Sequence, residues 1–194
     1  MFPLLLRLCA GIDAVNRVVG RLCIWLILLS ILISAGNAWM RKLFDASSNA
    51  WLEIQWYLYA AAFLCAAGYT LLVNEHVRID ALSQHFSARL RAWIDLVAFV
   101  VLVLPFCGIV IYLGHEVFWR AWISGEMSHN AGGLIRWPVY LAMPVGFALL
   151  FLQVVSEIVK RAAWLAGHRD RPMDSEADLP PLAIGGAAPQ EAPR

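Results

Sequence analysis

The run LCIWLILLSILISAGNAWM, Leu22 to Met40, carries no Asp, Glu, Lys, Arg or His over 19 residues and is bounded by Arg21 and Arg41. At about 1.5 Å of rise per residue, a helix of that length matches a hydrocarbon core about 30 Å thick. A charged side chain at the centre of such a helix costs roughly 2.5–3.5 kcal/mol on insertion scales, so the emptiness of the window is itself the signal. Three further windows of the same kind follow. They run from Ile54 to Asn74 (21 residues), Leu96 to Gly114 (19) and Trp137 to Ser156 (20).

Composition agrees with this reading. The 194 residues are 61% hydrophobic and 15% charged, with a mean hydropathy of +0.66, where a soluble domain carries about 25% charged residues. Fifteen Lys and Arg against fourteen Asp and Glu leave a net charge of +1. No basic field is available for a nucleic acid, and that partner class is set aside. The expected fold is an all-α membrane protein with four transmembrane helices, at about 22–40, 54–74, 96–114 and 137–156.

Four spans put both termini on one side, and the Lys and Arg distribution selects it. Arg7, Arg17, Arg21, Arg78, Arg89, Arg91, Lys160, Arg161, Arg169, Arg171 and Arg194 fall on the termini and the middle connection; Arg41, Lys42, Arg120 and Arg136 fall on the other two. Eleven against four predicts both termini in the cytoplasm. The tryptophans sort accordingly, with Trp39, Trp51, Trp56, Trp119, Trp122 and Trp137 at the outer boundary and Trp25, Trp93 and Trp164 at the inner one.

Residues 1–21 set Leu4, Leu5, Leu8, Ile12, Val15 and Val19 against Arg7, Asp13, Asn16 and Arg17, the pattern of an amphipathic helix on the cytoplasmic surface. No small-x-small cleavage site follows the first span, so it is expected to be retained. The segment His76 to Trp93 alternates in the same way, and Phe118, Trp119, Trp122 and Ile123 predict a short amphipathic piece in the outer connection. The multi-span domain thus covers 22–168, and the Pro-, Ala- and acid-rich residues 169–194 predict a disordered cytoplasmic tail.

Residues 47–59 and 128–140 align at a constant offset of 81, with six of thirteen positions identical. Each copy precedes an even-numbered helix, which would make hairpins 1-2 and 3-4 parallel repeats. Ser and Asn there suit helix N-caps, and Pro138 a first turn. Two similar caps arrived at by chance are the competing reading.

Chemistry is sparse. The four span interiors lack ionisable residues, where carriers usually place them. Pro105 and Pro144 lie within spans and read as structural kinks. The five histidines lie outside the spans, so haem ligation is disfavoured. Cys9, Cys23, Cys65 and Cys107 form no C-x-x-C and read as apolar packing residues. No catalytic, metal, cofactor or substrate-binding residue is expected. Polar groups collect at helix ends, at Glu53 and Gln55, Asn74 to Asp80, and Glu126 to Arg136.

Two separated motifs carry a family resemblance. Trp51-Leu-Glu-Ile-Gln-Trp-Tyr-Leu-Tyr59, Gly68-Tyr-Thr70 and Asn74-Glu-His-Val-Arg-Ile-Asp80 resemble the second helix and following loop of the small membrane subunit of tripartite ATP-independent periplasmic (TRAP) transporters, the DctQ-like family. Gly125-Glu-Met-Ser128, Gly132-Gly-Leu-Ile-Arg-Trp-Pro138 and Met143-Pro-Val-Gly-Phe147 resemble its entry to helix 4. The resemblance covers about residues 15–165. It implies a scaffold subunit of a sodium-driven carboxylate uptake system in the bacterial inner membrane. The implied partners are a large membrane subunit, in a stable heterodimer, and a periplasmic binding protein, met transiently. By location, Glu53, Gln55, Glu126, Ser128 and Asn130 are candidate docking residues for the binding protein, and Arg78, Arg89 and Arg91 candidate ligands for membrane lipids. The rival reading is a self-contained small oligomeric transporter or channel; a haem or thiol enzyme is a more distant one.

Overall fold

The computed structural model describes residues 2–45, 48–73 and 86–168, and these are helical apart from short turns. Helix α1 spans Phe2–Phe44, α2 Asn49–Leu72, α3 Ala88–Ala98, α4 Leu104–Ser124 and α5 Trp137–Leu165; a π-helical turn, Phe99–Val103, joins α3 to α4 without a break. Three stretches are long and apolar enough to cross a membrane: Leu4–Phe44, Ala88–Ser124 and Trp137–Leu165. At 24 residues α2 is long enough by rise. It is not among those three stretches, and its first turns carry Glu53 and Gln55 beside Trp51, Trp56, Tyr57 and Tyr59.

The expected boundary between a surface helix and a first span at Arg21/Leu22 is not a break, since α1 is one helix of 43 residues. Part of its polar stripe meets protein where a surface helix would turn it to water. Asp13 and Asn16 are buried, while Leu4, Leu8 and Val15 are exposed. The reason is that polar partners on α5 await the polar stripe, whereas the apolar stripe faces outward as a lipid-exposed surface would. Helix α1 stops at Phe44, where Asp45 enters the left-handed region (φ 48°), a conformation Asp tolerates better than most residues.

The piece expected as a separate outer helix, Phe118 to Ile123, forms the last turns of α4, which continues until Gly125 adopts φ 61°. The π turn precedes Pro105, which has no N–H to offer the carbonyl four residues back. Instead the N–H of Leu104 reaches the carbonyl of Phe99, five residues back. The amphipathic segment from His76 lies outside the described residues up to His85, as does the tail 169–194; from Ala88 the chain is already in the helix that continues through Asp95.

Helix α5 touches every other element, and α2 lies against both α1 and α5. The interior is built from small residues, among them Ala62, Cys107, Ala142, Val154 and Ala163. A Cβ on Gly146 would sit 2.7 Å from the backbone of Leu64, so α2 and α5 approach to glycine distance, as small residues permit in membrane bundles. Large apolar side chains line the outside, including Trp25, Trp56, Phe63, Leu102 and Tyr112. Trp122 and Trp137 meet edge to face at 4.7 Å between ring centres and close α4 onto the start of α5.

Candidate functional site

Polar groups gather at the two ends of the bundle. At the end where α2 and α5 begin, the first turns of α2 place Glu53 against the connection that leads from α4 to α5. One carboxylate oxygen accepts from the Ser128 hydroxyl and, at 2.8 Å, from the Asn130 amide; the other accepts the Leu134 backbone N–H at 2.7 Å. The connection is itself a small antiparallel loop, with Ser128 N–H on the Leu134 carbonyl and Arg136 N–H on the Glu126 carbonyl, both at 2.9 Å. Arg136 Nη1 lies 3.1 Å from Glu126 Oε1 and donates to the Tyr140 hydroxyl at 3.4 Å. Asn49 donates to the Ala131 carbonyl at 3.1 Å.

The donors around Glu53 favour its ionised form. The Leu134 N–H, then Ser128 and Asn130, hold its carboxyl below the usual glutamate range, and the Arg136 charge adds to this. Beside the clamp lies a cleft of about 680 Å³, lined by Ser30, Gln55, Trp56, Tyr57, Arg136 and Tyr140 among others. All five candidate docking residues therefore fall in one neighbourhood. Glu53, Ser128 and Asn130 hydrogen-bond to one another, Glu126 pairs with Arg136, and Gln55 lines the cleft. What the loop presents outward is Met127, His129, Asn130, Ala131 and Gly132.

The two copies of the internal repeat meet here, since Glu53 bonds the residue 81 positions on. They are not equivalent in structure. The first copy lies in the opening turns of α2, and the second is mostly loop before α5 begins at Trp137. Ser48 holds the N-cap position of α2 without a side-chain cap bond, and Ser128 and Asn130 bind Glu53 rather than cap α5. Pro138 does stand in the first turn of α5.

At the opposite end, where α5 finishes, is a charged network that the sequence reading missed. Lys160 Nζ lies 2.7 Å from Asp13 and 3.0 Å from Glu157; Arg161 reaches Glu157 at 2.6 Å and Asp95 at 3.4 Å and stacks over the Phe99 ring, 4.7 Å from its centre. Gln153 and Ser156 donate to Asp13 at 2.9 and 3.1 Å, and Asn16 donates to Gln153 at 2.9 Å. Arg161, Glu157, Lys160 and Asp13 are 1, 2, 3 and 6% exposed, so these charges are dry. The signal was present in the sequence: Gln153, Ser156, Glu157, Lys160 and Arg161 follow one helical stripe at steps of three and four. Of the lipid candidates, Arg89 is exposed on α3, Arg91 is half-buried there, and Arg78 lies outside the described residues.

Among the described residues, no three His, Cys, Asp or Glu side chains are grouped so as to hold a metal ion. The cysteines are free, with Cys9, Cys23 and Cys107 buried. Fold and polar clusters together define an all-helical, multi-pass type of membrane protein whose described polar groups are grouped at the bundle ends. The family model for the DctQ component of tripartite ATP-independent periplasmic transporters matches residues 30–163. The chain belongs to that family and is the small membrane subunit of such a transporter. The family is a transporter component rather than an enzyme family, and it normally works with a large membrane subunit and a binding protein. No match was found among curated proteins or solved structures.

Proposed function

We propose that the chain is a non-transporting scaffold subunit of a sodium-driven importer of organic carboxylates in a bacterial inner membrane. It forms a stable heterodimer with the large membrane subunit and meets the binding protein transiently. The supporting observation is where the polar groups lie. Among the described residues, small side chains such as Ala62, Cys107 and Ala142 fill the bundle interior, while Glu53 is held by the α4–α5 connection and Asp13, Glu157, Lys160 and Arg161 hold one another toward the other end, which is not the arrangement of a solute pathway.

In this reading α2, enclosed between α1 and α5, is the fourth span, and both termini are cytoplasmic. The Glu53 clamp then faces the periplasm and displays the segment Glu126 to Asn130 to the binding protein, with Glu53 acting by shaping the loop. Arg78, Arg89 and Arg91 face anionic lipid at the inner leaflet. Reconstitution tests the proposal. Vesicles holding this chain alone should take up no organic acid under a sodium gradient, whereas addition of the large subunit and binding protein should restore uptake. Accumulation by the chain alone would instead favour a self-contained oligomeric transporter.

A further inference from the structure

Lipid tails are as apolar as leucine, so an apolar helix gains little by turning one apolar face rather than another toward its neighbours. Something else must fix the rotation of α1 and α3 about their own axes. Along the first half of α1, Cys9, Asp13, Asn16, Gly20 and Cys23 face inward at steps of three and four, and Leu4, Leu8, Val15, Val18 and Leu22 face outward. The apolar residues on the two sides differ little in chemistry. The polar ones do not: a turn of about 100°, one residue's worth of helix, would carry Asp13 from Lys160 into an apolar environment.

We propose that the network Asp13–Lys160–Glu157–Arg161–Asp95 is a rotational lock that orients α1 and α3 around α5 and so decides which apolar faces the subunit presents to whatever surrounds it. Each arm has its own contacts. On one side Asp13 accepts from Lys160, Gln153 and Ser156, and one turn earlier Cys9 Sγ lies 3.8 Å from the Ser156 carbonyl oxygen. On the other, Arg161 holds Asp95 and the Phe99 ring where α3 enters the π turn. Glu157 joins the arms by accepting from both Lys160 and Arg161. Buried polar groups are best attested as setters of register rather than as sources of stability. The lock does not depend on the transport reading, because it belongs to this chain alone.

The test uses the full chain in lipid nanodiscs, with Cys9, Cys23, Cys65 and Cys107 replaced by Ala and a nitroxide attached at Val15→Cys on the outward face. The parent should give a single mobile spectral component. The pair Asp13→Leu with Lys160→Met removes two charges together, so it spares the fold the single unpaired charge that Lys160→Met alone would leave. In that pair, with helicity and monodispersity retained, a second, immobilised component should make up roughly a third or more of the signal as α1 samples other rotations. Lys160→Arg, which keeps the charge, should stay single. A folded apolar pair with the parent spectrum overturns the proposal, as does an equal immobilised fraction in Lys160→Arg and the pair. If Lys160→Met alone fails to fold, those two variants still decide the matter.

Discussion

Glu53 shows how one carboxylate can organise a loop that is distant in sequence. Its three donors come from residues 75 to 81 positions away, and Glu53→Ala removes the acceptor for all of them. Amide exchange at Leu134 should then accelerate by roughly tenfold or more, while the helices keep their protection. The pH dependence has a fixed sign. A carboxyl held below its ordinary value of 4.5 contributes stability in full above that value, and the contribution is lost as pH falls through the lower folded value. Leu134 exchange, corrected for its intrinsic pH dependence, should therefore rise on acidification below about 4.5 in the wild type and change little in Glu53→Gln. The sequence showed these residues as polar groups at helix ends. It did not show that they bond one another, because periodicity reports the face of an element and not its distant partner.

Among the elements, α5 carries most of the constraint, because every other helix packs on it. Gly146 meets the Leu64 backbone, which cannot move aside as a flexible side chain could. Gly146→Ala should therefore destabilise by about 1–3 kcal/mol, as overpacked cores do, and lower the melting temperature in detergent. Gly108 on α4 has open space around it, and Gly108→Ala should leave that temperature unchanged or slightly raised. The charge-free windows located the cores of α1, α2, α4 and α5 because the cost of a charge in hydrocarbon is a local property. The ends were harder to read. Helix α5 runs nine residues past the predicted stop at Ser156 to Leu165, since Lys160 and Arg161 pair with Glu157 and with Asp13 and Asp95 from the neighbouring helices. A scan for charge takes each as a boundary; only their common stripe reveals them as interior.

For the molecule as a whole, the proposed orientation puts the α4–α5 connection and the end of α5 on opposite sides of the membrane. His129→Cys and His168→Cys, each in a cysteine-free background, should react with an impermeant maleimide from the periplasm and the cytoplasm respectively. Labelling of both from one side would reject the four-span arrangement. The family assignment was legible from the two motifs because they combine polar, aromatic, Gly and Pro residues in a fixed order, whereas the surrounding helices are interchangeable apolar sequence. The burial of Asp13 and Asn16 against α5 was not legible. An amphipathic stripe says that a helix has two faces, but in a membrane it does not say which one turns inward.

The polar seam between α1 and α5 also joins two helices far apart along the sequence. Asn16 and Asp13 bond residues 137 to 143 positions later, so during biosynthesis α1 must wait for α5. At about 5–20 residues per second that delay is on the order of ten seconds. A nascent chain that stalls before α5 keeps Asp13 in α1 without the α5 donors that hold it in the finished fold.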